Sequence, residues 1–222
     1  MQVDIDGISA IGKTTLIQSL SLEFPMAKAV NELLMEKKNP YLSWKTREEY
    51  LQKQMWFFDQ SLQRYTQFPV SDGEIQINDI GITDVIVHTG IFPMINSLGW
   101  SVWELFVKRV KENYPDRNLA DLVIYLHAPE EVIRKRQKED TARVRGAFES
   151  NIRLYSSQKK CYERLAEVFP DQVYLVAADG EPKQVKQEVM RIMNGHKKQP
   201  LKLYQVLDVL EMTIGYIFDD IG

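Results

Sequence analysis

The run Gly7-Ile8-Ser9-Ala10-Ile11-Gly12-Lys13-Thr14-Thr15 constrains this chain more than any other stretch. Two glycines five positions apart, followed by lysine and threonine, fit the pattern G-x-x-x-x-G-K-[ST] without a mismatch. An apolar run, residues 2 to 5, precedes it, and Leu16, Leu20 and Phe24 recur behind it at helical spacing until Pro25. A strand that turns sharply into a helix aims a ring of backbone N–H groups at an anion, reinforced by the helix dipole. Gly7 provides the sharp exit from the strand and Gly12 opens the helix. Lys13 adds a point charge over the β- and γ-phosphates, and the Thr14 hydroxyl is placed for Mg²⁺. Residues 7 to 15 therefore read as the phosphate site of a nucleotide.

The rest of the chain supplies a frame for that loop. Apolar runs at residues 2–5, 27–30, 74–77, 121–126 and 172–176 alternate with longer helical patterns. Five strands separated by helices predict an α/β fold with a parallel sheet covered on both faces. In the helical stretch after residue 46, Leu51, Met55, Phe58, Leu62 and Tyr65 form a core stripe. The neighbouring face, Gln54, Phe57, Ser61 and Arg64, either borders that core or lines a pocket. Pro93 and Gly99 break the pattern after the third strand into two helices. One domain is expected over residues 1–195, followed by a polar linker and an amphipathic extension at 196–222, either a docked helix or a self-association surface that would make a homodimer.

Composition narrows the partners. The 222 residues carry 28 Lys+Arg against 31 Asp+Glu, a net charge of −3, so no global cationic surface makes long nucleic acid the default partner. A lone cysteine, Cys161, cannot form an intramolecular disulfide, the first strand leaves no room for a leader peptide, and no apolar run reaches the ~18 residues of a membrane span. A cytoplasmic location is expected.

Three further features bear on chemistry. Asp79 ends the third strand at the sheet edge where ligands of open α/β sheets bind, and suits a second role near Mg²⁺; the alternative is a capping acid. Arg134, Arg136, Arg143 and Arg145 crowd the charged segment after the fourth strand, where residues from about 137 to 147 would form a lid over a bound nucleotide, although a solvated charge run is the ordinary cause of such density. Arginine suits that work because its planar fork stabilises phosphoryl charge. Glu32 lies just past the second strand, where a carboxylate could take the proton of an acceptor hydroxyl or simply start a helix.

With phosphate loop, Glu32, the Gln54 helix, Asp79 and the arginine-rich segment in this order, the chain resembles the deoxynucleoside kinase and thymidylate kinase group over about residues 1–195. The resemblance implies a three-layer sandwich with sheet order 2-3-1-4-5, ATP and Mg²⁺ as cofactors, and a small nucleoside or nucleotide acceptor. It puts the acceptor's base at Gln54, its hydroxyl at Glu32, and adenine near Asp179 and Gly180 after the fifth strand. Phe57 and Arg64 complete the substrate side. Two positions depart from the group: Leu33 stands where proline follows the acid, and Ile80 stands where arginine follows Asp79. That arginine holds phosphates in the group, so here either another cation supplies its charge, with Arg64 or a lid arginine in reach, or the step is absent. The expected activity is ATP-dependent phosphorylation of a deoxynucleoside. The alternatives are a deoxynucleoside monophosphate acceptor, thymidylate among them, and a nucleotide-binding module that transfers nothing to a small molecule.

Overall fold

Parallel pairing of five short strands organises the chain, for which the computed structural model describes residues 1–30, 44–67, 73–140 and 148–219. Strand β1 (Gln2–Asp6) is central, paired with β3 (Ile75–Asp79) on one side and β4 (Leu122–His127) on the other. Outside them lie β2 (Ala27–Val30) and β5 (Val173–Ala177), giving the order β2-β3-β1-β4-β5. All five limits fall within two residues of those read from hydrophobic runs. The register sets Ile5 opposite Asp79 and Asp6 opposite Tyr125, so the carboxyl ends of β1, β3 and β4 form one ledge.

Helices cover the sheet: α1 (Lys13–Glu23), α2 (Arg47–Gln67), α3 (Ile82–Ile95), α4 (Trp100–Asn113), α5 (Glu130–Glu139), α6 (Phe148–Val168), α7 (Pro182–Gly195) and α8 (Leu203–Asp219). Helix α1 packs on α7, α2 on α3 and α4, and α3 on α6 and α8. The stripe on α2 is core as read, with Leu51, Phe58, Leu62 and Tyr65 buried and Met55 packed against them. Pro93 sits in the last turn of α3, and its carbonyl accepts the Leu98 N–H at 2.8 Å, closing the turn into Gly99 and α4. The extension is docked: Leu203, Val206, Leu207, Leu210, Ile214 and Ile217 of α8 belong to the same apolar cluster as the sheet. Among the described residues no helix is long and apolar enough to cross a membrane.

Candidate active site

The loop between β1 and α1 has the backbone that its glycines imply. Gly7 has φ +134°, and a Cβ there would stand 2.7 Å from the Leu126 carbonyl oxygen of β4, so only glycine lets the loop pass. Gly12 caps α1 in the left-handed region at φ 108°. Lys13 is buried and donates to the Gly7 and Ile8 carbonyl oxygens at 2.7 and 3.2 Å. The Thr14 hydroxyl donates to Asp79 Oδ2 at 2.9 Å, joining the first turn of α1 to the end of β3.

Asp79 also answers whether Mg²⁺ fits. Its Oδ1 is buried and has no hydrogen-bond partner among the described residues, an atom that calls for a cation or a water. No group of three or more His, Cys, Asp or Glu could hold a metal by itself among the described residues. A hard ion that takes one carboxylate, one hydroxyl and phosphate oxygens needs no such group. Thr14 and Asp79 therefore fit Mg²⁺.

Two cavities meet at the loop. A cavity of about 670 Å³ runs from Gly12, Thr14, Thr15 and Asp79, past Arg136, to Ala178, Gly180 and Lys183 beyond β5. A second, of about 290 Å³, opens on the other side and is lined by Gly7, Ile8, Ile80 and the entire second face of α2, Gln54, Phe57, Ser61 and Arg64. Ser9 and Lys13 line both. The α2 face left open by the sequence is thus a pocket wall. Of the two residues expected near adenine, Gly180 lines the larger cavity, while exposed Asp179 does not.

The arginines divide. Arg136 lines the larger cavity and donates to the Ile11 carbonyl oxygen at 3.2 Å. Arg134 lines neither cavity and is held in exposed ion pairs with Glu130 and Glu149, at 2.7 and 2.9 Å. Two positions on a helix differ by about 200° in direction, which separates these neighbours. Glu32, Arg143 and Arg145 lie outside the described residues, as does most of the expected lid. Arg136→Ala is expected to lower kcat by about 10²-fold, the scale of one lost charge-stabilising donor, and Arg134→Ala to leave it within twofold. Steady-state kinetics of the two variants, measured side by side, checks the division.

Arg64 occupies the ground that Ile80 leaves without charge. It is buried, with Nη1 donating to the Asp79 carbonyl oxygen at 3.3 Å and Nη2 to the Ile80 carbonyl oxygen at 2.7 Å and to Ser61 Oγ at 3.2 Å. Ile80 itself is a β-branched residue at φ 63°, a strained position held from several sides. Its N–H donates to the Ile5 carbonyl oxygen at 3.2 Å, and the next N–H, from Gly81, donates to Asp6 Oδ1 at 2.7 Å.

Beneath this loop lie residues that the sequence reading missed. Asp4 and Asp6, both wholly buried on β1, accept from Tyr65 and Asn78 and from Gly81 and Tyr162 respectively. Burial, then the neighbouring Asp6 charge, pushes the Asp4 carboxyl up to about 7. Burial likewise pushes Asp6 up to about 6, against the Gly81 and Tyr162 hydrogen bonds. Two acids alternating with apolar residues in a core strand were the available signal. Asp84, which lines the smaller cavity, accepts from Gln158 of α6 at 2.6 Å, and no local pattern marked either residue.

The raised carboxyls have a consequence for stability. Between the ordinary value of 3.8 and about 7 the native chain holds protons that the unfolded chain releases, so stability falls as pH rises through that window. Asp4→Asn removes one titrating group at constant shape. Its urea midpoint is expected to decline less than that of the parent from pH 5 to 8, and an equal decline would clear Asp4 of any part in the pH dependence.

No protein-family model matches the chain, and no curated protein matches it significantly. Solved structures do match. A deoxyadenosine kinase from M. mycoides with bound dATP superposes with a TM-score of 0.70 over 88% of this chain and 100% of that one, at 16% identity. A thymidylate kinase from Candida albicans gives 0.66 over 90% and 96%, at 15% identity. The EHV4-TK complex with TP4A gives 0.65 over 100% and 98%, at 10% identity. The chain has the P-loop fold of the deoxynucleoside and thymidylate kinase-like group.

Proposed function

We propose that the protein transfers the γ-phosphoryl group of ATP to the hydroxyl of a deoxynucleoside. The observation that carries this is the pair of cavities sharing Lys13 and Ser9. A module that only holds a nucleotide needs the first cavity. A second one opening on the same lysine gives an acceptor somewhere to stand in line with the phosphoryl group, and positioning of that kind is most of what phosphoryl transfer demands. Neighbours of the same fold support the class, since one holds dATP and another is a thymidylate kinase.

In this mechanism the loop N–H groups and Lys13 bind the phosphates, and Gly180 borders the adenine end. Thr14 and Asp79 would hold Mg²⁺, which when bound would supply charge neutralisation at the phosphate oxygens. Arg64 and Arg136 bring further positive charge to the two sides of the loop. The acceptor oxygen loses its proton to a carboxylate, the role the family resemblance gives Glu32, and bonds to the γ-phosphorus as the bond to the bridging oxygen of ADP breaks.

A nucleoside monophosphate acceptor is the second reading. The observation in its favour is the Arg64 guanidinium on the wall of the smaller cavity, where a monophosphate would meet a fixed positive charge. Coupled ADP release, measured with four deoxynucleosides and their monophosphates, tests both. Release that rises with one class of acceptor chooses between them. ATP hydrolysis indifferent to every acceptor would leave only the binding module.

A further inference from the structure

Lys53 stands on α2 one residue before Gln54, and nothing in the proposed chemistry uses it. It lines the smaller cavity with Gln54, Phe57, His88 and Ile91. It is half-buried and makes no hydrogen bond or ion pair among the described residues. Burial pulls its pKa down, the signature of an ammonium short of water and of partners. Lysine offers three donors and no acceptor. The groups beside it do not relieve that. His88 is held neutral, its pKa lowered to about 4 by burial and by the Lys53 charge. Gln54 is buried, and its Oε1 already takes the Thr89 hydroxyl at 3.1 Å, so that oxygen is engaged away from Lys53. Lys53 thus brings unmet donors to this cavity, while the Asp84 carboxylate that also lines it already accepts from Gln158 at 2.6 Å.

Its distance from the chemistry says what it meets. Arg64 marks the transfer end, against Asp79 and Ile80. Lys53 is eleven residues earlier on the same helix, about 16 Å along its axis. Granted the kinase reading above, an acceptor with its hydroxyl at the loop extends its base toward Lys53. We propose that Lys53 selects acceptors whose base carries a carbonyl oxygen at its distal edge, the 4-keto pyrimidines thymine and uracil or the 6-keto purine guanine, over the amino bases adenine and cytosine. A keto oxygen accepts a charge-assisted hydrogen bond from the ammonium. An exocyclic amino group would set donor against donor and leave both unpaired in a partly dry pocket, a mismatch that sites of this kind reject strongly.

Calorimetry with thymidine, deoxyguanosine, deoxyadenosine and deoxycytidine reads the pocket without requiring turnover, and ADP release with the same four reads the reaction. The keto nucleosides are expected to bind roughly 10- to 100-fold more tightly, the scale of one charge-assisted hydrogen bond. In Lys53→Met, which keeps the apolar stem, the keto affinities are expected to fall to the level of the amino ones, with the amino ones unchanged. Equal affinities in the parent, a preference for amino bases, no binding of any of the four, or a keto preference that survives Lys53→Met would each overturn the assignment. Keto-selective binding without acceptor-dependent ADP release would instead overturn the kinase reading and leave the selection by Lys53 standing.

Discussion

Lys13→Met is expected to lower kcat by about 10³-fold or more while the chain stays folded. Lys13, with Ser9, lines both cavities, and it is buried and parked on the Gly7 and Ile8 carbonyl oxygens. Those oxygens are weak substitutes for phosphate. The ammonium exchanges them for the phosphoryl group as charge builds there, so the loss falls on the transition state more than on the bound ground state. Methionine fills the space of the stem and leaves two carbonyls that water in the cavity can reach. ATP affinity, by calorimetry, is expected to weaken far less than kcat. Equal turnover in the variant would remove the loop from the chemistry.

Arg64 carries the second large effect, and it separates charge from geometry. Arg64→Lys keeps the charge yet cannot span the Asp79 and Ile80 carbonyls with one planar fork. Arg64→Met removes the charge from beside Asp4 and Asp6, whose ionised forms it favours. Breaking a buried charged network by removing one member costs about 3 to 5 kcal/mol, so Arg64→Met is expected to lower the urea midpoint sharply, and Arg64→Lys to do so much less. Activity is expected to fall about 10³-fold in both, because the donors beside the acceptor are misplaced in one and missing in the other. A lysine variant with parental kcat would show that point charge alone suffices, and that Ile80 leaves no gap for a guanidinium to fill.

How far the sequence carried the structure depends on where each signal lay. Strands were legible because runs such as Leu122 to Tyr125 are buried on both faces, which leaves an unbroken apolar stretch. The phosphate loop was legible because its geometry needs particular residues at fixed spacing. Both faces of α2 were legible as faces, although only the cavity showed that Gln54, Phe57, Ser61 and Arg64 form a wall. The arginine cluster was read with equal weight across its members, yet Glu130 four residues before Arg134 was a local sign of an exposed ion pair. Other parts left no local trace. Tyr162 donates to Asp6 across 156 positions, and Gln158 to Asp84 across 74, so these contacts exist only once α6 has packed. Lys53 carries no local mark in the sequence, and only the cavity beside it singles it out.

Transfer of label from γ-³²P-ATP, followed by chromatographic separation of the products, tests the central assignment most directly. With Mg²⁺ and an acceptor, label is expected to appear in the phosphorylated nucleoside or nucleotide, in amounts matching the ADP formed, and to do so about 10³-fold more slowly, or more slowly still, with Lys13→Met. Label that stays in ATP, or appears only as inorganic phosphate with every acceptor tried, would contradict phosphoryl transfer to a small molecule.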